Sequence, residues 1–468
     1  MKQAKRILVG LLALTLAAGL ITSCAGKAAV STAAQSTAAS GAQPVGAPIE
    51  LNVAAFDGAY GSAFWDDIVA GFEEMYKADN ITVKVASSPK IDDIVTPQLR
   101  NGQVPDVMYF GTNQPSGFTN KLIASGSLLK LTDLLEETVP GENVKLKDKI
   151  LKGFLDTTNT MPYADGDTFM LPLFYSTNGL FYNADLFNET GADGKYKLPV
   201  TWDDFYALGE QANKDDRKLF IYPKAGYLDN FLFAEVAASA GMETLSKWTA
   251  YEDVYSEPAF AAVFEKLAGL KPYFAWDVFD SAKPIENQAK ILNNEVLFVP
   301  SGSWMPSELA DYQKVDGFNY GFMAPPSFSA DGDRYCAGMI EQVFALRSGD
   351  VAREDAARKF LAYLYTDTAA KIIAEKGKGM VPINGIMDIA KSAGVDDLTL
   401  SMYGVYDKGA KFVAGSFVAA NADGVNWKQT YCFSMDSIMQ GLAGSDAQWW
   451  LNRMKDDSVL LKAGIQAQ

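Results

Sequence analysis

Apolar and polar positions along the body of the chain follow two alternating rhythms, one of strands and one of helices. The stretch "IELNVAAF" (Ile49–Phe56) reads as a strand. After the Gly-rich "DGAYGS" (57–62), "AFWDDIVAGFEEMYKA" puts Phe64, Ile68, Phe72, Met75 and Tyr76 on one helical face. "ITVKVAS" is a second strand. "IDDIVTPQLRNG" is a helix in which Pro97 marks a start or a kink and Gly102 the stop. "PDVMYFG" (105–111) is a short buried strand. This order builds a parallel sheet covered by helices. Such sheets bind ligands at the carboxyl ends of their strands, here the loops 57–62 and 110–114.

Further on, "LPLFYSTNGLFYN" (171–183) is one extended run, and Thr201 is a suitable N-cap for the helix "WDDFYALGEQAN". A second α/β set follows and includes "EVLFVPSGSWMPSELA" (295–310). There a buried strand stops at Pro300, and three small residues lead to Trp304 and a helical segment. "IEQVFAL" is a strand. "VAREDAARKFLAYLYTD" is an amphipathic helix aligning Ala357, Phe360, Leu361 and Leu364. The last hundred residues read mostly as helix.

With 468 residues, 48% of them hydrophobic, the chain can fill a large core or two domains. Its 57 acids against 41 cations give a net charge of -16, which argues against nucleic acid or an anionic membrane surface as partner. It contains no histidine. That excludes Ser-His-Asp and Cys-His nucleophile systems and His-based zinc sites. "YADGDTF", "GADGKY" and "SADGDRY" lack the ligand spacing and closing glutamate of calcium loops and read as turns, and "KGKGM" is no phosphate loop. No cofactor and no metal is expected.

The first residues form an export signal: a basic start at Lys2, Lys5 and Arg6, then the apolar run 7–21. The following "ITSC" resembles the lipobox of bacterial lipoproteins, which implies cleavage after residue 23 and lipidation of Cys24. Losing residues 1–23, with three cations and no acids, takes the charge from -16 to -19. Residues 24–48, rich in Ala, Ser, Thr, Gly and Gln, form a flexible tether. Cys336 and Cys432 then remain; they read as unpaired core thiols, with a disulfide in an oxidising compartment as the alternative.

Taken in order, the motifs resemble the extracellular solute-binding proteins of carbohydrate ABC importers, the maltose-binding-protein-like family. The resemblance rests on "DGAYG", "NGQVPDVMYFG", "LPLFYSTNGLFYNADLF", "TWDDF", "VLFVPSGSW" and "AARKFLAYLYTDTAAKI", and covers most of the body. "TPQLRNGQVPDV" and "LFVPSGSWMPSEL" are also similar to the branch that takes up N-acetylglucosamine and chitobiose. The resemblance implies an α/β, two-lobed periplasmic-binding-protein fold of type II. Each lobe is a sheet flanked by helices, joined by a multi-strand hinge. Lobe one would take residues 49–171 and 326–382, and lobe two 172–325 and 383–468. It further implies a monomer outside the cytoplasm, anchored through Cys24, that hands a sugar or oligosaccharide to the permease subunits of an ABC importer.

A pyranose presents an apolar C–H face and a rim of hydroxyls, matched by aromatic faces and by fixed polar groups. On that basis Trp304 is the first candidate for stacking, with Ser301 and Ser303 as donors at a helix start. In the first loop Asp57 and Tyr60 are candidates, with a capping role as the alternative for Asp57. Tyr109 and Phe110 end the "PDVMYF" strand, and alternation makes one of them core. The family's stacking tryptophan matches Phe110 and its acidic sugar ligand matches Asn113, both departures from the family pattern. Asp106, earlier in the strand, reads as structural. Tyr227, Asp229 and Asn230 approach a helix start. Of Glu341 and Gln342, one would face the cleft and the other solvent. Tyr431 and the nearby Trp427 compete for one aromatic position. The alternatives are a lipoprotein glycoside hydrolase using Asp57 and Glu341, or the same fold holding a polyol or a peptide.

Overall fold

Strand β1 (Ile49–Phe56) sends Leu51, Val53 and Ala55 to one face and Ala54 to the other, the two-residue period of a strand. The computed structural model describes residues 47–466 apart from 59, 113–115, 156, 164, 188–194, 224–227, 277–283, 378, 419, 421 and 443. The first face of β1 packs on Ile68 and Phe72 of helix Trp65–Met75 and on Phe360 and Leu361 of helix Val351–Tyr363. The second packs on Ile91 and Val95 of helix Ile91–Arg100. Met75, expected on the buried face, is 44% exposed, because its helix ends there. Pro97 lies inside its helix, and Gly102 follows the end with φ +74, a position that favours glycine.

The first sheet runs β2 (Ile81–Ser88), β1, β3 (Val107–Tyr109), β10 (Ile340–Ala345), β4 (Leu171–Tyr175). β1 is parallel to β2 and β3, as expected, but β10 is antiparallel to both β3 and β4. The sheet is therefore mixed rather than parallel. β10 arrives from the second sheet at the carboxyl end of β3 and so runs back along it.

The second sheet runs β11 (Lys411–Ala414), β9 (Tyr335–Gly338), β5 (Asn178–Asn183), β7 (Val296–Gly302), β6 (Lys218–Phe220), with β8 (Tyr320–Met323) also on β5. Helices Trp202–Lys214, Leu228–Thr249 and Pro258–Gly269 bury Trp202, Phe231, Trp248 and Phe264 against it. Thr201 caps the first of these in a reciprocal box with Asp204. Cys336 and Cys432 are buried free thiols. Among the described residues no helix is long and apolar enough to cross a membrane.

The run 171–183 is two strands in two sheets, with Ser176 and Thr177 between them. The chain returns at Met339, between β9 and β10. By sheet membership these passages therefore fall at 176–177 and 339, where the sequence suggested 171 and 326. A third passage follows Ile383, which bridges to Ile150, and precedes β11. Two of the passages are tied to each other: Met339 N–H donates to Ser176 Oγ at 3.0 Å, and Ser176 N–H to Met339 O at 3.0 Å. Tyr403 donates to Tyr175 O at 2.8 Å, and Tyr406 to Thr177 Oγ1 at 2.9 Å.

Gly338 is what lets the strands approach this closely. A Cβ there would lie 2.0 Å from Ser176 O, a main-chain atom that cannot swing aside. Gly338→Ala is expected to cost about 1–3 kcal/mol as an overpacked contact, read as a lower denaturation midpoint. An unchanged midpoint would show that the crossing yields freely.

Candidate functional site

The carboxyl ends of β1 and β3 and the start of β10 meet at one edge of the first sheet. Val343 of β10 pairs with Tyr109 of β3, so Glu341 stands just beyond it on the neighbouring strand. The Tyr109 hydroxyl donates to Glu341 Oε2. Burial raises the Glu341 carboxyl above the usual carboxylate range, and the Tyr109 bond opposes that. Glu341 remains partly exposed, whereas Gln342 is fully buried and accepts from the Thr112 N–H at 3.1 Å. Gln342 thus braces a loop instead of facing solvent.

Three candidates at this edge turn out to be packing residues. Tyr60 is 9% exposed and stacks on Phe174 at 4.7 Å and 12°, and a Cβ on Gly379 would strike its ring. Its ring cannot be a platform in this conformation. Phe110 lies on the opposite face from Tyr109, edge-on to Phe56 and Phe118 at 5.5 and 5.8 Å. Alternation sends it to the core, and Tyr109 is buried as well. Asp57 is half-buried and its N–H donates to Ser88 O at 3.1 Å. Asp106 is structural, as expected: it holds Arg353 through Nε at 2.9 Å and Nη2 at 2.6 Å.

On the second sheet a cavity of about 440 Å³ is lined by Asp229, Asn230, Tyr251, Met339, Phe417 and Trp427, among others. Asp229 and Asn230 open the helix Leu228–Thr249. Trp427 stands edge-on to Phe417 at 5.2 Å and donates through Nε1 to the Tyr251 hydroxyl at 3.0 Å. Phe417 stacks on Tyr251 at 5.6 Å and 23°. The aromatic wall is therefore braced ring against ring. Tyr431 is fully buried behind Trp427, stacked on it at 5.9 Å, and its hydroxyl is engaged with Tyr255 and Met454 O. Trp427 takes the pocket position and Tyr431 supports it. Met339, a residue of the passage between sheets, closes one side.

The segment 300–304 departs from its sequence reading. The strand does not stop at Pro300; β7 continues to Gly302, with Ser301 opposite Gly179 and Gly302 opposite Asn178. Ser301 is buried and donates to Gln288 Oε1 at 2.8 Å, so it is not a cleft donor. Ser303 is half-buried, and its N–H is taken by Thr177 O at 3.0 Å. The half-buried Trp304 folds its ring over Gly302, where a Cβ would come within 2.2 Å of the ring. Position 302 is glycine because the tryptophan's own ring covers it. The helix after it, Met305–Glu308, is a single turn.

Asn113, Tyr227 and Cys24 lie outside the described residues. Phe417, Tyr251 and Met339 escaped the sequence reading; the signal for Phe417 was a lone aromatic in the small-residue run "AGSFVAAN". A larger cavity of about 730 Å³ lies beside β1, β2 and helix Ile91–Arg100. Among the described residues no aromatic side chain lines it, which makes it a poor match for a ring-shaped ligand with apolar faces.

The fold is therefore two sheet-centred lobes joined by several passages, with an aromatic pocket beside one of them. The chain belongs to the bacterial extracellular solute-binding protein family, whose model matches residues 57–371. Membership places it outside the cytoplasm. It is 27% identical over 285 residues to the diacetylchitobiose binding protein NgcE of Streptomyces coelicolor, a match covering 58% of this chain and 57% of that relative's length. Two solved structures share the fold. A chitin oligosaccharide binding protein aligns with TM-score 0.57 and 20% identity, covering 90% of this chain and all of the other. The sugar-binding protein MalE of Xanthomonas citri aligns with TM-score 0.66 and 16% identity, covering 89% and 98%.

Proposed function

We propose that this protein captures a sugar or short oligosaccharide between its two lobes and delivers it to the permease of an ABC importer. The observation that carries the reading is the pocket of Trp427, Phe417, Asp229 and Asn230 beside Met339. Braced aromatic rings offer apolar faces for pyranose C–H groups, and the carboxylate and amide offer fixed partners for hydroxyls. Asp57 and Glu341 at the edge of the first sheet, and Ser303 and Trp304 just after β7 of the second, would add contacts, as would Asn113 and Tyr227 on the sequence reading alone. The likeness to a diacetylchitobiose binding protein makes β-linked N-acetylated disaccharides the first ligands to try. The passages at 176–177 and 339 act as the hinge, and ligand favours the closed state by the difference in its affinity for the two states. No bond of the sugar is broken. Lipidation at Cys24 and the tether 24–48 would hold the receptor, a monomer, within reach of its permease.

Titration calorimetry of the protein with N,N′-diacetylchitobiose, maltose and raffinose tests this. One of them is expected to bind one-to-one, without release of reducing sugar over hours. The reading is overturned if none produces a binding isotherm, and a glycosidase is indicated if reducing ends accumulate.

A further inference from the structure

The edge of the first sheet holds a pair whose geometry says more than that both residues lie near a ligand. Tyr109 is 1% exposed, with its ring wedged between Phe174, edge-on at 5.4 Å, and Trp65 at 6.1 Å. Its hydroxyl donates to Oε2 of Glu341. The ring is thus locked on the inner side of the sheet, where no ligand reaches it. Glu341 differs. It lies at the mouth of β10, two residues beyond Met339, and retains solvent exposure. The bulge between Glu341 and Gln342 breaks the strand alternation at this point. Gln342 is thereby turned inward onto Thr112 while Glu341 stays at the edge. One carboxylate oxygen is occupied by the phenol, and the second is the acceptor the pair can offer outward.

We infer that Glu341 accepts a hydrogen bond from a ligand hydroxyl, that Tyr109 is a positioning residue which holds this carboxylate without touching the ligand, and that capture weakens when Glu341 takes up a proton. The inference rests on the sugar-binding reading and names an acceptor and a pH response within it. The groups facing the pair are Asp57 at the end of β1 and Tyr60, with Tyr403 behind it. The phenols of Tyr60, Tyr109 and Tyr403 are all raised by burial and stay neutral across the working range, so they do not mask a change of charge at Glu341.

The sign follows from two opposed influences. Burial raises the Glu341 carboxyl, and the donated phenol bond lowers it. At high pH the ionised carboxylate accepts from the ligand; as pH falls through its raised pKa it protonates and affinity drops. Tyr109→Phe removes the phenol that favours the anion but keeps the packed ring. The loss of affinity should then begin at a higher pH.

The experiment is a pH series of calorimetric titrations from acid to pH 8, using whichever of the three sugars binds. It compares wild type, Tyr109→Phe and Glu341→Gln. Wild-type affinity is expected to fall about 10-fold in acid, as for loss of one charged hydrogen bond. Tyr109→Phe should shift the midpoint upward, and Glu341→Gln should bind more weakly at pH 8 with that fall abolished. The inference is overturned if Tyr109→Phe lowers affinity evenly at every pH, which marks a merely structural residue. It is equally overturned if Glu341→Gln keeps the wild-type profile. Either result leaves sugar binding intact, whereas failure of the wild type to bind any sugar removes both.

Discussion

Trp427→Ala is expected to weaken sugar capture by about 30-fold or more, the effect of removing a well-packed aromatic anchor. Three contacts single out this residue from the eight tryptophans of the chain. It lines the pocket, its indole N–H is spent on Tyr251, and its ring is backed by Tyr431. A platform supported in this way does not have to be ordered when a sugar arrives, so little of the stacking gain is lost to side-chain entropy. Truncation opens the wall and leaves Phe417 without one of its edge-on neighbours. Trp427→Phe separates the two roles, because it keeps a ring against Tyr431 but loses the bond to Tyr251. It should retain an intermediate affinity. Calorimetry with the sugar identified by the panel is the measurement. Wild-type affinity in a folded Trp427→Ala protein would move the binding face elsewhere.

Arg353→Ala is expected to destabilise the fold by about 3 kcal/mol while leaving the affinity of the folded protein unchanged. Asp106 is 2% exposed, and its carboxylate is held by two guanidinium bonds and by the Asn52 N–H at 2.7 Å. Breaking a buried pair by removing one partner leaves an uncompensated charge, typically costing about 3–5 kcal/mol. Arg353 is 34% exposed, so water can replace part of what it supplied, and the lower end of that range applies. The contact ties β3 and β1 to the helix Val351–Tyr363, three elements far apart in sequence. Arg353→Lys should recover only part of the loss, because an ammonium cannot make the two-pronged contact. Urea unfolding followed by fluorescence checks this, and a midpoint equal to wild type would reduce the pair to a surface ion pair.

Local pattern revealed much of this protein. The strand 49–56 appears with the bounds its composition indicated, the Thr201 cap forms with its box, and Asp106 proves structural. The first two depend on neighbours a few residues away, whereas Asp106 is held by Arg353 and Asn52 from distant parts of the chain. The misreadings share a cause. The run 171–183 has no break in its composition, yet it divides between two sheets at Ser176 and Thr177, because pairing with distant strands and not local propensity decides which sheet a residue joins. Pro300 looked like a stop, but β5 supplies partners on to Gly302. Tyr60 looked like a loop aromatic until the segment around Gly379 covered it.

The same division runs through the binding face. By itself the sequence determined the family, the two-lobed α/β class, an extracytoplasmic setting and the types of side chain at the strand ends. Those follow from composition, period and the order of motifs, all of which are written along the chain. Only the tertiary structure decided which aromatic meets the cavity. Trp427 and Tyr431 are four residues apart on one helical turn and so share a face. Their order, one outward and one buried, is set by Tyr251, Tyr255 and Phe417, which come from elsewhere in the chain. Burial is a property of the assembled neighbours, and a side chain's own identity does not specify it.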